Sequence, residues 1–449
     1  MMTPTPKNRF FILLMLIITV VSLAACSNDS STSPKNEEGD KATNENMEQW
    51  GYDGGTATVK MMIAVDEETF KIRYKDQVEA KFPNITLDLI YDDLEELFAK
   101  GEYPDIIVGI PTHELVEELE TLMPIDEYIE KSNFDLGIFR DGVVDNLRAY
   151  DPLGEGNLYG LPVESTLMTM FYNKDIFDLF GEPYPQDGMT WKEALDLARR
   201  LTAVRNGIQY KGIQLSRTNA IPYTQLSIPG TDPETGEVLF AKNPDTKRVF
   251  DLLDELRNIP GMMESDPNRP DGFQDGQQNI AMWIQNAPWL PLLAPVEGFN
   301  FDMVTTPTWE DHPNVAPTSV ALPLNLTKFS ENKDAAWAVI SYLASEKAQI
   351  ALSRVGSAPT INSDSAYEQF SAADMEEFGK EYNTKAPFID KVAKVAPYSP
   401  YDPIITFHGE DYISKKAREF LTSEQDVVTY LREMEEEYTT IVKEMQAQK

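Results

Sequence analysis

The 449-residue chain carries few side chains suited to covalent or metal chemistry. Its three histidines, His113, His312 and His408, lie far apart in sequence, so the ligand set of a zinc centre is not expected. The segment "DPNRPDG" (266–272) has the acidic residues and glycine of a calcium loop, but the spacing before Gly272 is one residue off the EF-hand pattern. Neither a glycine-rich phosphate loop nor a G-x-S-x-G nucleophile elbow occurs. Acidic residues abound, 74 Asp+Glu against 39 Lys+Arg. A glycoside hydrolase would need two of their carboxyls roughly 5–9.5 Å apart across the scissile bond, and sequence alone does not single out such a pair. No cofactor and no metal is expected.

The one cysteine is the exception. Cys26 lies in "SLAACSNDSS" (22–31), behind a basic start, Lys7 and Arg9, and the apolar run "FFILLMLIITVV", Phe10 to Val21. That run is shorter than the about 20 residues a bilayer-spanning helix needs. A positive start, a short apolar centre and small residues before a cut site make a secretory signal. The form "LAAC", Leu23 to Cys26, resembles the lipobox of bacterial lipoproteins. The resemblance implies a diacylglycerol thioether on Cys26, removal of residues 1–25 and, in some bacteria, acylation of the new N-terminus, so palmitate belongs to the expectation. A plain membrane anchor or an inert cysteine is the alternative. A single cysteine forms no disulfide within the chain, and a lipidated one is no thiol catalyst.

Residues 27–55 are rich in Ser, Asn, Asp, Glu and Gly, and hold too few core-forming side chains to offset their ordering entropy by burial. As a flexible coil they span roughly 30 Å, enough to float a folded body above a membrane. Loss of residues 1–25 takes away Lys7 and Arg9 and no acidic residue, moving the formal charge from −35 to −37. That charge argues against nucleic acid, whose phosphates need a basic footprint. Anionic lipid would repel the body, so the acyl anchor must hold it. The acidity suits a cationic ligand, or simply keeps an exported protein in solution.

The remaining ~390 residues exceed what one hydrophobic core serves, and two lobes are expected. "TATVKMMIAV" (56–65) reads as a strand. The helix after it places Phe70, Tyr74, Val78 and Phe82 four apart on one face. "NITLDLIY" alternates Ile85, Leu87, Leu89 and Tyr91, as a half-buried strand does, and Asp105–Ile110 reads as a buried strand. Strands alternating with helices imply an α/β fold with a parallel sheet and ligands at the strands' carboxyl ends. Thr190 and Glu193 make a capping box before Ala194, Leu197, Ala198 and Leu201. "NKDAAWAVISYLASEKAQIAL" reads as paired helices with Trp337, Ile340 and Leu343 inward. A closing helix from Ser423 carries Val427, Leu431, Met434, Tyr438, Ile441 and Met445 along one face.

The segment "NLYGLPVESTLMTMFYNKDIFDLFG" (157–181) resembles the central stretch of family 1 extracellular solute-binding proteins, the maltose-binding type of ABC-importer receptor. In these, "YG-LP" precedes the first interlobe crossover and "YNKD-F" follows it. "YPDIIVG" (103–109), "TWKEALDLARRLT" (190–202), "GQQNIAMWIQNAPW" (276–289) and "NKDAAWAVISYLASEKAQ" (332–349) match in the same order, so the similarity covers nearly the whole mature chain. It implies the two-lobed periplasmic-binding-protein fold of type II, with three interlobe crossovers near Val163–Leu167, Met303–Thr306 and Ser345, closing on ligand like a hinge. The N-lobe is expected over 56–163 with 305–345, and the C-lobe over 167–303 with 346–449.

Sugars have apolar ring faces and hydroxyl edges, so a sugar site wants aromatic plates and carboxylate or amide rims. By the resemblance, Glu164 in "PVES" falls where the family's maltose receptors place a sugar-binding glutamate beside the hinge; otherwise it is a salt-bridged carboxylate. Trp289 in "NAPW" matches a cleft tryptophan that stacks on sugar, or is a buried indole. Asp66 follows the first strand, where family members offer a polar side chain, or is a helix N-terminal charge. After the third strand the maltose receptors have a tryptophan and charged residues. Here "GIPTHE" has Gly109 and Pro111, with His113 as the nearest polar candidate, a departure that weakens the case for maltose itself. Trp309 in "TTPTWEDHP" and Tyr398 and Tyr401 in "APYSPYDP" lie on loops that reach the cleft or merely pack. Trp283 reads as core.

The implied function is a lipid-anchored receptor of an ABC importer on the extracellular face of the cell membrane. As a monomer it would capture an oligosaccharide or related polyol and present it to permease subunits docked across both lobes, with no catalysis. Three other readings stand beside it: a secreted glycoside hydrolase pairing Glu164 with a second carboxylate, the same fold binding a peptide, polyamine or other cation, and a sensor accessory serving a membrane kinase.

Overall fold

Apolar alternation makes the start of the body a strand–helix–strand unit. In the computed structural model, which describes residues 52–91, 94–112, 114–215, 221–264, 271–396, 399–401 and 409–448, β1 (Ala57–Met62) buries Val59 and Met61 completely. It pairs in parallel with β2 (Ile85–Ile90), from Ala57 opposite Ile85 to Met62 opposite Ile90. Between them a helical run from Glu67 to Lys81 opens into a wider π-type turn over Lys71–Lys75. The stripe survives the widening, since Phe70, Tyr74, Val78 and Phe82 are all buried. The alternation in β2 does not run to its end: Tyr91 is exposed, because the chain has left the sheet and no pleat directs the side chain inward.

The later strands are β3 (Ile106–Val108), β4 (Gly160–Ser165), β5 (Met168–Asn173), β6 (Val204–Arg205), β7 (Ile208–Gln209), β8 (Lys211–Gln214), β9 (Ile280–Asn286), β10 (Phe301–Val304), β11 (Val315–Ala316), β12 (Ala321–Leu326) and β13 (Lys391–Val392). One sheet has the order β2-β1-β3-β12-β4 and a second the order β10-β5-β9-β8. Neither is wholly parallel. β12 runs antiparallel to both β3 and β4, and β5 runs antiparallel to both β9 and β10. Two reversals in the first sheet bring the carboxyl ends of β1, β2, β3 and β4 to one edge. Gly160 lets β4 approach β12, where an added Cβ would fall 2.2 Å from the Leu324 carbonyl.

Each sheet has its own packing. Helices Lys333–Leu343 and Glu346–Arg354 cover the first, and burial of Trp337, Ile340 and Leu343 contributes about 1.5–3 kcal/mol apiece. The second sheet is buried on both faces: Met170 and Tyr172 of β5 join a core with Phe250 and Phe420, while Phe171 between them joins another with Trp283 and Phe301. Trp283 is core, and the capping box at Thr190 and Glu193 starts helix Trp191–Leu201. The closing helix spans Val427–Gln448, with Asp426 accepting from the Thr429 amide, and Val442 takes the buried place beside the half-buried Ile441.

The third crossover differs from the sequence expectation. Leu352, Ile361 and Ala366 pack into the first core, beyond Ser345, whereas Ala358 and Phe370 pack with the second sheet. Helical periodicity shows that a helix has an apolar side but not which core receives it.

Candidate functional site

Three passages of the chain between the sheets lie side by side and are bonded to one another. β4 ends at Ser165 and β5 begins at Met168, so the first passage is short. The Ser165 amide donates to the Ala358 carbonyl at 2.9 Å, and the Thr166 amide and hydroxyl both donate to the Val320 carbonyl, at 2.9 and 3.1 Å. The hydroxyls of Ser165 and Ser319 meet at 2.6 Å. Gln349 Nε2 donates to the Val163 carbonyl at 2.8 Å and Thr360 Oγ1 to the Pro162 carbonyl at 2.9 Å. These buried bonds tie residues 162–166, 319–320 and 349–360 into one junction.

Glu164 sits at this junction near the carboxyl end of β4, its side chain only 15% exposed. Arg73 Nη1 donates to both carboxylate oxygens at 3.3 and 3.4 Å, and the Tyr74 hydroxyl donates to Oε2 at 3.3 Å. Burial first, and then the charge of Glu164, drives the Tyr74 phenol far above its ordinary pKa. The helix that follows the last passage, Ala372–Phe378, carries another carboxylate, Asp374, whose pKa is raised, burial being the foremost cause.

On the other side of the junction, the Ala287 amide donates to the Leu167 carbonyl at 2.7 Å, which sets the turn carrying Trp289 beside the crossover. Trp289 is half-buried, edge-on to Trp283 with ring centres 5.2 Å apart. Glu164 and Trp289 therefore flank the same short passage. Asp66 follows β1 on the same edge as the end of β4, and its carboxylate accepts from the Thr69 amide at 2.9 Å and the Thr69 hydroxyl at 2.7 Å. Those bonds, the backbone one foremost, lower its pKa.

The structure takes the remaining candidates elsewhere or does not describe them. Trp309 Nε1 donates to the Pro222 carbonyl at 2.9 Å and Arg248 lies over the ring at 4.8 Å, packing against the core of helices Trp191–Leu201 and Pro244–Arg257. Tyr401 packs against the same core, its ring against Gly236. Cys26, His113 and Tyr398 lie outside the described residues. Sequence reasoning missed Arg73 and Tyr74 as partners of Glu164. One signal was available: Tyr74 falls in an otherwise apolar stripe, and a buried phenol needs a polar partner.

A family model described as bacterial extracellular solute-binding protein matches residues 64–350. Among solved structures, an ABC substrate-binding protein from Listeria monocytogenes in complex with cycloalternan is 18% identical, with a TM-score of 0.63 over 88% of this chain and 100% of that one. A sugar transporter from Rhizobium etli in an open conformation is 18% identical, with a TM-score of 0.66 over 84% and 98%. The sugar-binding protein MalE from Xanthomonas citri, also 18% identical, has a TM-score of 0.64 over 87% and 98%. The likeness is one of fold, and it extends over nearly the full length of each of these proteins.

Proposed function

The chain belongs to the bacterial extracellular solute-binding protein family, and from that premise we propose that it is the carbohydrate receptor of an ABC importer, tethered outside the cell through a lipid on Cys26. The family is one of binding proteins, and its type II fold accounts for the two sheets described above. The observation that carries the reading is the pairing of Glu164 with Trp289 on either side of one short crossover: a rim acceptor and a flat apolar plate, the two surfaces a sugar presents complements to. The sugar-binding names among the fold's relatives support the same ligand class.

In this reading the sheets with their helices are two lobes, the bonded junction is the hinge, and a ligand that touches both lobes holds them closed. Closure then follows only from the ligand's greater affinity for the closed form. Affinities near micromolar, about −8 kcal/mol, suffice for scavenging. Permease subunits would read the closed form. The Arg73–Glu164 pair preorganises the rim, since Arg73 holds the carboxylate in place and leaves part of it to accept from a hydroxyl.

A thermal-shift screen of the mature protein against mono- and oligosaccharides tests this, because bound ligand raises apparent stability by mass action. At least one oligosaccharide at millimolar concentration should raise Tm by several degrees without being consumed. Turnover of labelled oligosaccharide would replace the receptor with a hydrolase, and salt-sensitive stabilisation by polyamines alone would replace the sugar with a cation.

A further inference from the structure

A large apolar side chain left in the open is informative where the alternation of a strand would bury it. β2 buries Ile85 and Leu87 and packs Leu89 partly against the first core, so Tyr91 falls next in the same inward phase. It is nonetheless 54% exposed. The matching stretch after β1 behaves differently, since Ile63 and Val65 turn back onto that core. Tyr91 is an uncovered ring where the pattern calls for a covered one.

Strand register places that ring. β1 and β2 are parallel and end together, Met62 opposite Ile90, so Tyr91 leaves the sheet on the edge where β1 runs on to Asp66. β4 ends on the same edge with Glu164 and Ser165. In the order β2-β1-β3-β12-β4 these two strands stand at opposite ends of the sheet, four strand spacings or about 19 Å apart. The phenol also feels the carboxylates after β1: its pKa is raised, by burial first and then by the charges of Glu67 and Asp66. Tyr103 makes the contrast. It precedes β3, on the opposite edge of the sheet, and its ring is stacked on Phe329 with centres 4.8 Å apart.

We propose that Tyr91 is an aromatic plate at the far end of the solute site, so that the site runs along the whole carboxyl edge of the first sheet and takes a linear oligosaccharide longer than a disaccharide. The inference rests on the carbohydrate reading above and adds to it the length of the ligand. Its argument is one of span. Glu164 and Trp289 flank the crossover, where they hold the near end of a sugar chain. A plate at the other end of a five-stranded sheet meets only a ligand long enough to reach it. The ring suits the task, because its flat apolar face complements the apolar face of a sugar. A tyrosine also has few side-chain torsions to fix when it binds. The solute would cover what the protein leaves open.

The test is calorimetry of the mature chain with linear gluco-, manno- and xylo-oligosaccharides, each as disaccharide and pentasaccharide. In the series that binds, wild type should take the pentasaccharide more tightly than the disaccharide. Y91A should weaken the pentasaccharide at least tenfold and the disaccharide less than twofold. Its Tm without ligand should stay within about two degrees of wild type, because the side chain is exposed. Y91F should bind within about threefold of wild type, which assigns the effect to the ring face rather than the hydroxyl. Y103A, on the opposite edge, should bind both lengths as wild type does. The inference is overturned, with the carbohydrate reading intact, if wild type binds both lengths equally, or if Y91A binds the pentasaccharide as wild type does. It is also overturned if Y91A weakens both lengths alike or Y103A matches its effect. A wild type that binds none of these sugars would remove the carbohydrate reading and this inference with it.

Discussion

The carboxylates that flank the two sheets meet burial in different ways. Around the first sheet, Asp105, Asp151 and Glu164 each have partners from the chain itself: backbone amides, hydroxyls or the Arg73 guanidinium. Beside the second sheet, neither oxygen of Asp390 has a hydrogen-bond partner among the described residues. An ionised carboxylate that accepts two or three amide hydrogens can stay charged inside a protein, whereas an isolated one must be neutralised or find a cation. The contrast teaches that a buried carboxylate can be held by partners from the chain itself, as Asp105, Asp151 and Glu164 are, or be enclosed without one among the described residues, as Asp390 is.

The largest expected effect is at Arg73. R73M leaves Glu164 with only Tyr74 in a half-buried place, and should cost about 3 kcal/mol in urea unfolding. R73M/E164L should recover much of that loss, since it removes the stranded charge as well. A loss below about 0.5 kcal/mol would make the pair no better than a surface one and erase the contrast with Asp390.

Next comes Trp289 on the second-sheet side. W289A should weaken solute binding at least tenfold, about 1.4 kcal/mol, as read by calorimetry. Its edge-on contact with Trp283 adds about 1 kcal/mol of lost stability. Intact binding with a much larger stability loss would return Trp289 to the core. The smallest effect is at Asp66 beside the first sheet. D66A removes a cap accepting from Thr69 and should lower the urea midpoint slightly. A twofold or smaller change in affinity is expected with it, and a tenfold one would move Asp66 from the capping group to the ligand's contacts.

Much of the architecture was readable in the order of residues. The stripe Phe70, Tyr74, Val78 and Phe82, the Thr190–Glu193 capping box and the inward Trp337, Ile340 and Leu343 all depend on contacts within a turn or two, and those are written in local spacing. The likeness to solute-binding proteins was carried by short segments of the same kind. The candidate site was legible in part: sequence pointed to Glu164 and Trp289, and the fold brings both to one crossover. It also sent Trp309 and Tyr401 into packing against the second sheet's helices, because an aromatic on a loop looks the same in sequence whether it faces a ligand or a core.

Residue order alone settled the stripe Phe70–Phe82, the Thr190–Glu193 cap and the inward face of the Trp337 helix, since each is an interaction among neighbours a few positions apart. Folding alone decided that Glu164 meets Arg73 across 91 positions, that Leu352, Ile361 and Ala366 beyond Ser345 pack with the first core, and that Asp390 is enclosed with no hydrogen-bond partner among the described residues. Such pairings depend on which distant surfaces come together, and hydrophobic periodicity carries no record of partners.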